Sequence, residues 1–224
     1  MFPQNYAVLV VGDPGTGMFE FSCYLAASYL RNGERVVFVE TDPSPERVRK
    51  QLRRFGIAAL EFEMDGQLII VDCSTPAFDE GYDPGTRRVR DRTDLKSIQT
   101  QIQDAMRNVG GPPVRVVFDS LTPLYESNGA EEIGDFFAHL CTNVRRDGNL
   151  TATIHRGMIH EEQVDKLGAI ADGIVEMVIN KQFKRFIRIL RMKGIEIRPR
   201  WVQFDFEKSE EEEGTMLGWG KEEE

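Results

Sequence analysis

The feature that most constrains the fold is a glycine-rich turn between an apolar segment and a segment of helical periodicity. Its residues are Gly12, Asp13, Pro14, Gly15, Thr16, Gly17, Met18 and Phe19. The glycine spacing is that of the phosphate-binding loop GxxxxGK[ST], in which backbone N–H groups and the lysine contact phosphates and the hydroxyl holds Mg²⁺. Met18 and Phe19 replace those two side chains. An anion can still bind at the helix N-terminus, and the other interpretation is a turn that binds nothing.

Apolar runs alternate with amphipathic segments along the rest of the chain. Helices are predicted at 18–31, 44–55, 94–108, 130–146 and 161–171, and strands at 6–11, 35–40, 59–63, 68–72, 114–118, 150–155 and 174–179. Residues 186–192 and 201–206 are predicted as antiparallel strands added to one edge of the sheet, and 74–93 as a long irregular loop. This order predicts an α/β fold with a mostly parallel central sheet flanked by helices.

Charge is distributed unevenly along the chain. The net charge of the 224 residues is −9, and residues 207–224 contain eight glutamates and two lysines. We expect one domain at 1–207 and a solvated acidic tail at 208–224, with a role as an interaction segment as the alternative. The negative charge weakens the case for nonspecific nucleic-acid binding.

Composition also bears on location and on metal binding. Neither a basic leader with an apolar core nor an apolar run near ~18 residues occurs, so we expect a cytoplasmic protein without a membrane segment. The three cysteines lie far apart without a CxxC pair, which predicts neither disulfides nor a zinc site. His155 and His160 are interpreted as ordinary hydrogen-bonded residues at a strand end.

A second chemical motif ends the strand predicted at 114–118. The apolar run Val116-Val117-Phe118 is followed by Asp119, which is the form of a Walker B aspartate. Such a carboxylate holds Mg²⁺ through water, because this ion prefers oxygen ligands and keeps much of its hydration shell. The alternative is a residue that caps the next turn. With the glycine loop upstream, Asp119 is the candidate metal ligand.

Further motifs follow in a fixed order along nearly the whole chain. They are Ser44-Pro45-Glu46, Arg53-Arg54-Phe55-Gly56, Val117-Phe118-Asp119-Ser120-Leu121, Ala171-Asp172-Gly173-Ile174 and Leu190-Arg191-Met192-Lys193-Gly194. Together with the glycine loop they resemble the RecA-type ATPases of the KaiC and archaeal RadA-like group. The resemblance implies a RecA-like P-loop NTPase fold, ATP or ADP with Mg²⁺ at the loop, and stacking into a homo-oligomer. By match, Arg191 and Lys193 are the basic residues that would reach a neighbour's nucleotide.

The chain also departs from that family. Its members carry an acidic pair just before the Ser-Pro-Glu helix, and one of the pair activates water. Aligning that helix places Asp42 and Pro43 there, so Glu40 and Asp42 are the candidate catalytic bases. The glycine-rich segment that precedes the first strand in the family is nearly absent, as are a second ATPase domain and a helix-hairpin-helix DNA-binding module.

Three functions are compatible with these motifs. The first is a KaiC-like regulatory or signalling protein that binds ATP weakly and hydrolyses it slowly or not at all, because the loop lacks its lysine and hydroxyl. The second is a nucleotide-free scaffold that meets a protein partner through the acidic tail or the loop at 74–93. The third is an active ATPase with a displaced lysine, such as Lys193 of a neighbouring subunit. A recombinase is least expected, because the chain is acidic and lacks a DNA-binding module.

Overall fold

The structure of the chain, a computed structural model, describes residues 2–42, 44–74 and 86–206. The acidic tail predicted at 208–224 and most of the loop predicted at 74–93 lie outside the described residues. No helix within these ranges has the length and apolar character needed to cross a bilayer.

One mixed sheet runs through the described part of the chain. Its strands are β1 (Ala7–Gly12), β2 (Arg35–Glu40), β3 (Leu68–Asp72), β4 (Thr86–Arg88), β5 (Val114–Asp119), β6 (Gly148–His155), β7 (Gly173–Ile179), β8 (Arg185–Met192) and β9 (Val202–Phe204). The strand order is β4-β3-β2-β5-β6-β1-β7-β8-β9. Neighbours from β4 to β7 pair in parallel, whereas β8 and β9 add antiparallel strands at one edge. The predicted α/β architecture, a mostly parallel sheet with antiparallel strands at one edge, is confirmed.

Helices cover both faces of this sheet. They are α1 (Met18–Arg31), α2 (Pro45–Arg54), α3 (Ala59–Met64), α4 (Leu95–Asn108), α5 (Ala130–Asp147) and α6 (Glu161–Ile170), with a 3-10 helix at Thr122–Glu126. Successive strand side chains point to opposite faces, so Val37 and Val39 pack with α4 and α5 while Val36 and Phe38 pack with α1 and α2. This alternation explains why the strands are apolar throughout.

Two predictions in the second quarter of the chain are wrong. Residues 59–63, predicted as a strand, belong to α3, because Arg49 of α2 donates two hydrogen bonds of 2.8 Å to the Glu63 carboxylate and fixes the helical turn there. The stretch predicted as irregular contains β4, which pairs in parallel with β3. In both segments, contacts with residues distant in sequence determine the secondary structure.

The carboxyl ends of the parallel strands meet at one edge of the sheet. Gly12 lies opposite His155, and Glu40 lies opposite Asp119. Since β8 runs antiparallel, its first residue, Arg185, lies opposite Ile179 at this same edge. Ligands of open α/β sheets bind beyond the carboxyl ends of the strands, so this edge is where a site is expected.

Candidate functional site

The glycine loop connects β1 to α1 at the carboxyl edge. Gly15 and Gly17 have φ of 87° and 85°, in the left-handed region that glycine adopts without strain. The Thr16 hydroxyl donates a 2.8 Å hydrogen bond to the Asp13 carbonyl and closes the turn. Gly17 is the N-cap of α1, and no side chain caps the helix there. The first-turn N–H groups therefore remain available to an anion.

Met18 does not point outward as the lysine of an intact loop would. Its side chain is 2% exposed and belongs to the apolar cluster that contains Val8 and Val10. A Cβ on Gly12 would lie 2.7 Å from the Met18 sulfur, so the close packing of Met18 requires glycine at that position. The loop keeps its backbone shape while its lysine position is used for the core.

Phe19 occupies the position of the Mg²⁺-binding hydroxyl. Its ring is half-buried against the cluster on the α1 and α2 face. The Arg47 guanidinium carbon lies 5.3 Å from the centroid of this ring, which is a cation–π contact. An aromatic ring thus takes the place of the hydroxyl in the motif, and a guanidinium lies against that ring.

A cavity of about 270 Å³ opens above the loop, and we call it the loop cavity. It is lined by Gly15, Gly17, Met18, Phe19, Glu20, Asp42, Arg47, Asp119, Ser120, His155 and Arg185. Its volume is close to the lower end of the ~300–1,000 Å³ range of ligand pockets. Both positive and negative side chains line it.

Asp119 lies at the end of β5 on the floor of the loop cavity. Its Oδ1 accepts hydrogen bonds from the Thr153 hydroxyl at 2.6 Å and the Ser22 hydroxyl at 3.2 Å. Burial raises the pKa of Asp119 to about 6, against the lowering effect of those two hydrogen bonds. The carboxyl group is therefore still mostly ionised at neutral pH and takes up a proton as the pH falls toward 6.

The backbone after Asp119 is fixed by neighbouring hydroxyl groups. The Thr41 hydroxyl donates to the Ser120 carbonyl at 2.7 Å and accepts from the Ser120 N–H at 3.0 Å. His155 lies beside this turn, and its backbone N–H donates to the Thr122 hydroxyl at 2.8 Å. Burial lowers the pKa of His155, which favours the neutral imidazole. His155 thus lines the cavity and is also hydrogen-bonded as the last residue of β6.

The two candidate bases occupy different environments. Asp42 is exposed and lines the loop cavity. Glu40 is fully buried, and its Oε1 accepts a 3.0 Å hydrogen bond from the Ser74 hydroxyl. Burial, together with the adjacent Asp72 carboxyl, raises the pKa of Glu40 to about 10. Only Asp42 of this pair faces the space above the loop.

Sequence reasoning missed three side chains: Arg47 and Arg185, which line the cavity, and Phe206, which lies beside Gly17. The Nε atom of Arg185 lies 3.4 Å from the position that a Cβ on Gly17 would occupy. The ring of Phe206 lies 3.1 Å from the same position. Arg185 begins β8 and Phe206 follows β9, so the antiparallel strands bring residues far along the chain to the carboxyl edge. Arg47 was overlooked for a different reason, although its position in the first turn of a helix after β2 could have indicated that edge.

Arg191 and Lys193 lie away from the loop cavity. The β8 register places Arg191 opposite Ile174, near the amino edge of the sheet. Its guanidinium donates to the carbonyls of Gly168 and Ala171. The Lys193 ammonium lies 3.5 Å from an Asp172 carboxylate oxygen. Within one subunit neither residue contacts the glycine loop, and a role at a neighbour's nucleotide stays a prediction.

Comparison with known proteins supports the architecture. A solved KaiC-like protein of Pyrococcus horikoshii has the same fold, with a TM-score of 0.69 at 18% identity over 92% of this chain and 88% of that chain. A UPF0273 protein of Methanopyrus kandleri is 37% identical over 123 residues, covering 55% of this chain and 48% of that protein. The circadian clock protein KaiC3 of Synechocystis is 27% identical over 202 residues, covering 86% of this chain and 38% of that protein.

The relatives and the family model cover different shares of this chain, and those shares determine what can be concluded from each match. The chain spans about half the length of the UPF0273 relatives it matches, and less of KaiC3. The family model described as "ATPase: KaiC" matches residues 1–211, which is nearly the whole chain. The chain therefore belongs to the KaiC ATPase family.

Proposed function

We propose that the chain is a KaiC-type regulatory protein that binds ATP or ADP in the loop cavity and hydrolyses ATP slowly or not at all. The observation that carries this proposal is the contrast within one turn. The glycine loop and the uncapped N-terminus of α1 retain the shape of a phosphate site. The two side chains that would act on the phosphates are a buried methionine and a phenylalanine.

Binding is supported by the backbone and by charge. The first-turn N–H groups and the partial positive charge of α1 favour a phosphate at this point. Arg47 and Arg185 face the same cavity, whereas Glu20 and Asp42 oppose an anion there. Weak binding follows from this balance, since a charge-assisted hydrogen bond such as the lost lysine contact contributes about 1.5–3 kcal/mol.

Slow turnover follows from the same geometry. Phosphoryl transfer depends on positioning and on positive charge that stabilises the moving phosphoryl group. Met18 has no donor, and its side chain is directed into the core. Asp42 lines the cavity and is our candidate to orient a water molecule, but a base alone accelerates a reaction by only about 10²- to 10⁴-fold.

The test is a calorimetric titration of ATP and ADP against the protein and two matched variants. Gly15 and Gly33 both have φ above 70° and open space where a Cβ would stand, so Gly15→Asp and Gly33→Asp carry similar strain. Only Gly15 lines the loop cavity. We expect micromolar to millimolar binding by the wild type, lost in Gly15→Asp and kept in Gly33→Asp. Absence of wild-type binding would instead favour the nucleotide-free scaffold.

Hydrolysis is measured separately by steady-state phosphate release. We expect a rate far below the ~1 s⁻¹ at which ordinary enzymes begin. A rate at or above that value would contradict the proposal and favour an active ATPase that takes a lysine from elsewhere. Arg191 and Lys193 are then the first residues to substitute, since we propose that subunits associate and place them near a neighbour's nucleotide.

A further inference from the structure

The cations that face the loop cavity are arginines and come from other elements than the loop. Arg47 lies in the first turn of α2 with its guanidinium over Phe19, and in the described part of the chain it forms no ion pair. Arg185 lies beside Gly17, and its buried Nε has no hydrogen-bond acceptor among the described residues, although its Nη1 pairs with Asp205 at 3.3 Å. Each has donor capacity left for a phosphate oxygen.

The same cavity is poorly suited to Mg²⁺. This ion requires near-octahedral oxygen coordination and a water shell. Phe19 occupies the motif position at which an intact loop supplies a hydroxyl. The positively charged guanidinium of Arg47 lies over its ring and would repel a metal cation there. Asp119, 4% exposed, already accepts two hydroxyl hydrogen bonds. No group of three or more His, Cys, Asp or Glu side chains in the described ranges is arranged to hold a metal.

We propose that the loop cavity binds nucleotide phosphates without Mg²⁺, and that the Arg47 guanidinium, held on the face of Phe19, takes the place of the lysine as the main side-chain cation at the phosphates. This rests on the proposed nucleotide binding and specifies its chemistry. A guanidinium is suited to the role, because its planar array of donors matches two phosphate oxygens and stacks on an aromatic ring. Phe19 thereby positions Arg47 and also excludes the metal's water shell.

The charge balance makes Arg47 decisive. Glu20, Asp42 and Asp119 face the cavity together with Arg47, Arg185 and His155. Removing one of two arginines leaves an excess of carboxylates next to the phosphates. We therefore expect Arg47→Gln to weaken ADP and ATP binding by about tenfold or more, the usual effect of losing a charge-assisted hydrogen bond.

The experiment compares calorimetric titrations of ADP and ATP in excess EDTA and in millimolar Mg²⁺. For the wild type we expect dissociation constants that agree within about twofold between the two buffers. Arg53→Gln, on an exposed residue of the last turn of α2 that does not line the cavity, is the matched control and should bind like the wild type. Thermal unfolding of each variant checks that the fold is retained.

A second variant tests the role of the ring. Phe19→Thr removes the support for Arg47 and restores a hydroxyl, so its binding should be weak in EDTA and strengthened by Mg²⁺. Wild-type binding that requires Mg²⁺, or an Arg47→Gln variant as tight as Arg53→Gln, would overturn the role of Arg47 while leaving nucleotide binding intact. If the wild type binds neither nucleotide in either buffer, the proposed function itself fails.

Discussion

At the scale of single residues, the glycine loop shows that backbone and side chains are separable parts of a phosphate site. Met18 contributes to the core beneath the loop, and Gly12 is the residue that allows its close approach. The backbone shape is retained because it depends on Gly15, Thr16 and Gly17 rather than on the lysine. Loss of the lysine therefore need not unfold the loop.

Substituting Met18 tests this separation. A lysine cannot leave its ammonium in the apolar cluster, so in Met18→Lys the side chain should turn outward toward the loop cavity. The lost packing should lower the free energy of unfolding by about 1–3 kcal/mol. ATP binding should strengthen by about tenfold, which calorimetry measures. Met18→Leu conserves volume and is the control; unchanged affinity in Met18→Lys would show that the side chain cannot reach the phosphates.

Glu40 allows a pH-dependent prediction. Its folded pKa of about 10 lies above the ordinary value of 4.5, so the folded state holds a proton that the unfolded chain releases. The free energy of unfolding should thus fall as pH rises between these values. Glu40→Gln keeps the neutral shape and can donate to Asp72. Urea unfolding should show the variant more stable than the wild type by about 1–3 kcal/mol near pH 8 and nearly equal near pH 5.

A matched control distinguishes this effect from the loss of one negative charge anywhere on the protein. Glu61→Gln removes the same charge at an exposed position of α3 and should change stability little at either pH. A Glu40→Gln variant that is less stable than the wild type near pH 8 would show that Glu40 is ionised in the folded protein. Its removal would then cost an interaction rather than relieve a buried charge.

At the scale of elements, hydrophobic periodicity predicted the helices and strands whose structure depends mainly on burial. Strands with continuous apolar runs and long helices were found where the sequence placed them, because burial on both faces dictates their composition. Residues 59–63 were wrongly predicted as a strand, since their short alternating pattern fits a strand while the ion pair to Arg49 fixes a helix. Arg185 and Phe206 could not be placed in the site, because the sequence does not show that β8 joins the sheet at β7, next to the strand that precedes the glycine loop.

The ion pair that holds α3 is a testable cause of its structure. The side chains of Arg49 and Glu63 are 12% and 3% exposed, so removing the carboxylate leaves a guanidinium largely buried. Glu63→Ala should lower the free energy of unfolding by about 2–4 kcal/mol. Glu61→Ala, on the exposed side of the same helix, should cost less than about 0.5 kcal/mol. Equal effects in chemical unfolding would show that helix propensity, and not the ion pair, determines this segment.

At the scale of the whole molecule, the sheet separates two sets of basic residues. Arg47 and Arg185 face the loop cavity at the carboxyl edge. Arg191 and Lys193 lie near the amino edge, where they contact the end of α6 and Asp172. A single subunit cannot bring both sets to one nucleotide. If the family-like role of Arg191 and Lys193 holds, the complete site requires a neighbouring subunit.

Lys193 is the better residue with which to test assembly. Its side chain is half-exposed and its ion pair is long, so its loss should not disturb the fold, whereas Arg191 is bonded to α6. We expect the wild type to self-associate when nucleotide is added, and Lys193→Glu to weaken that association by placing a carboxylate near the neighbour's phosphates. Lys50→Glu makes the same charge change at an exposed position of α2 that does not line the loop cavity, and serves as control. Light scattering that shows a monomer at high concentration with saturating nucleotide would contradict the assembly, and equal association of both variants would exclude Lys193 from the interface.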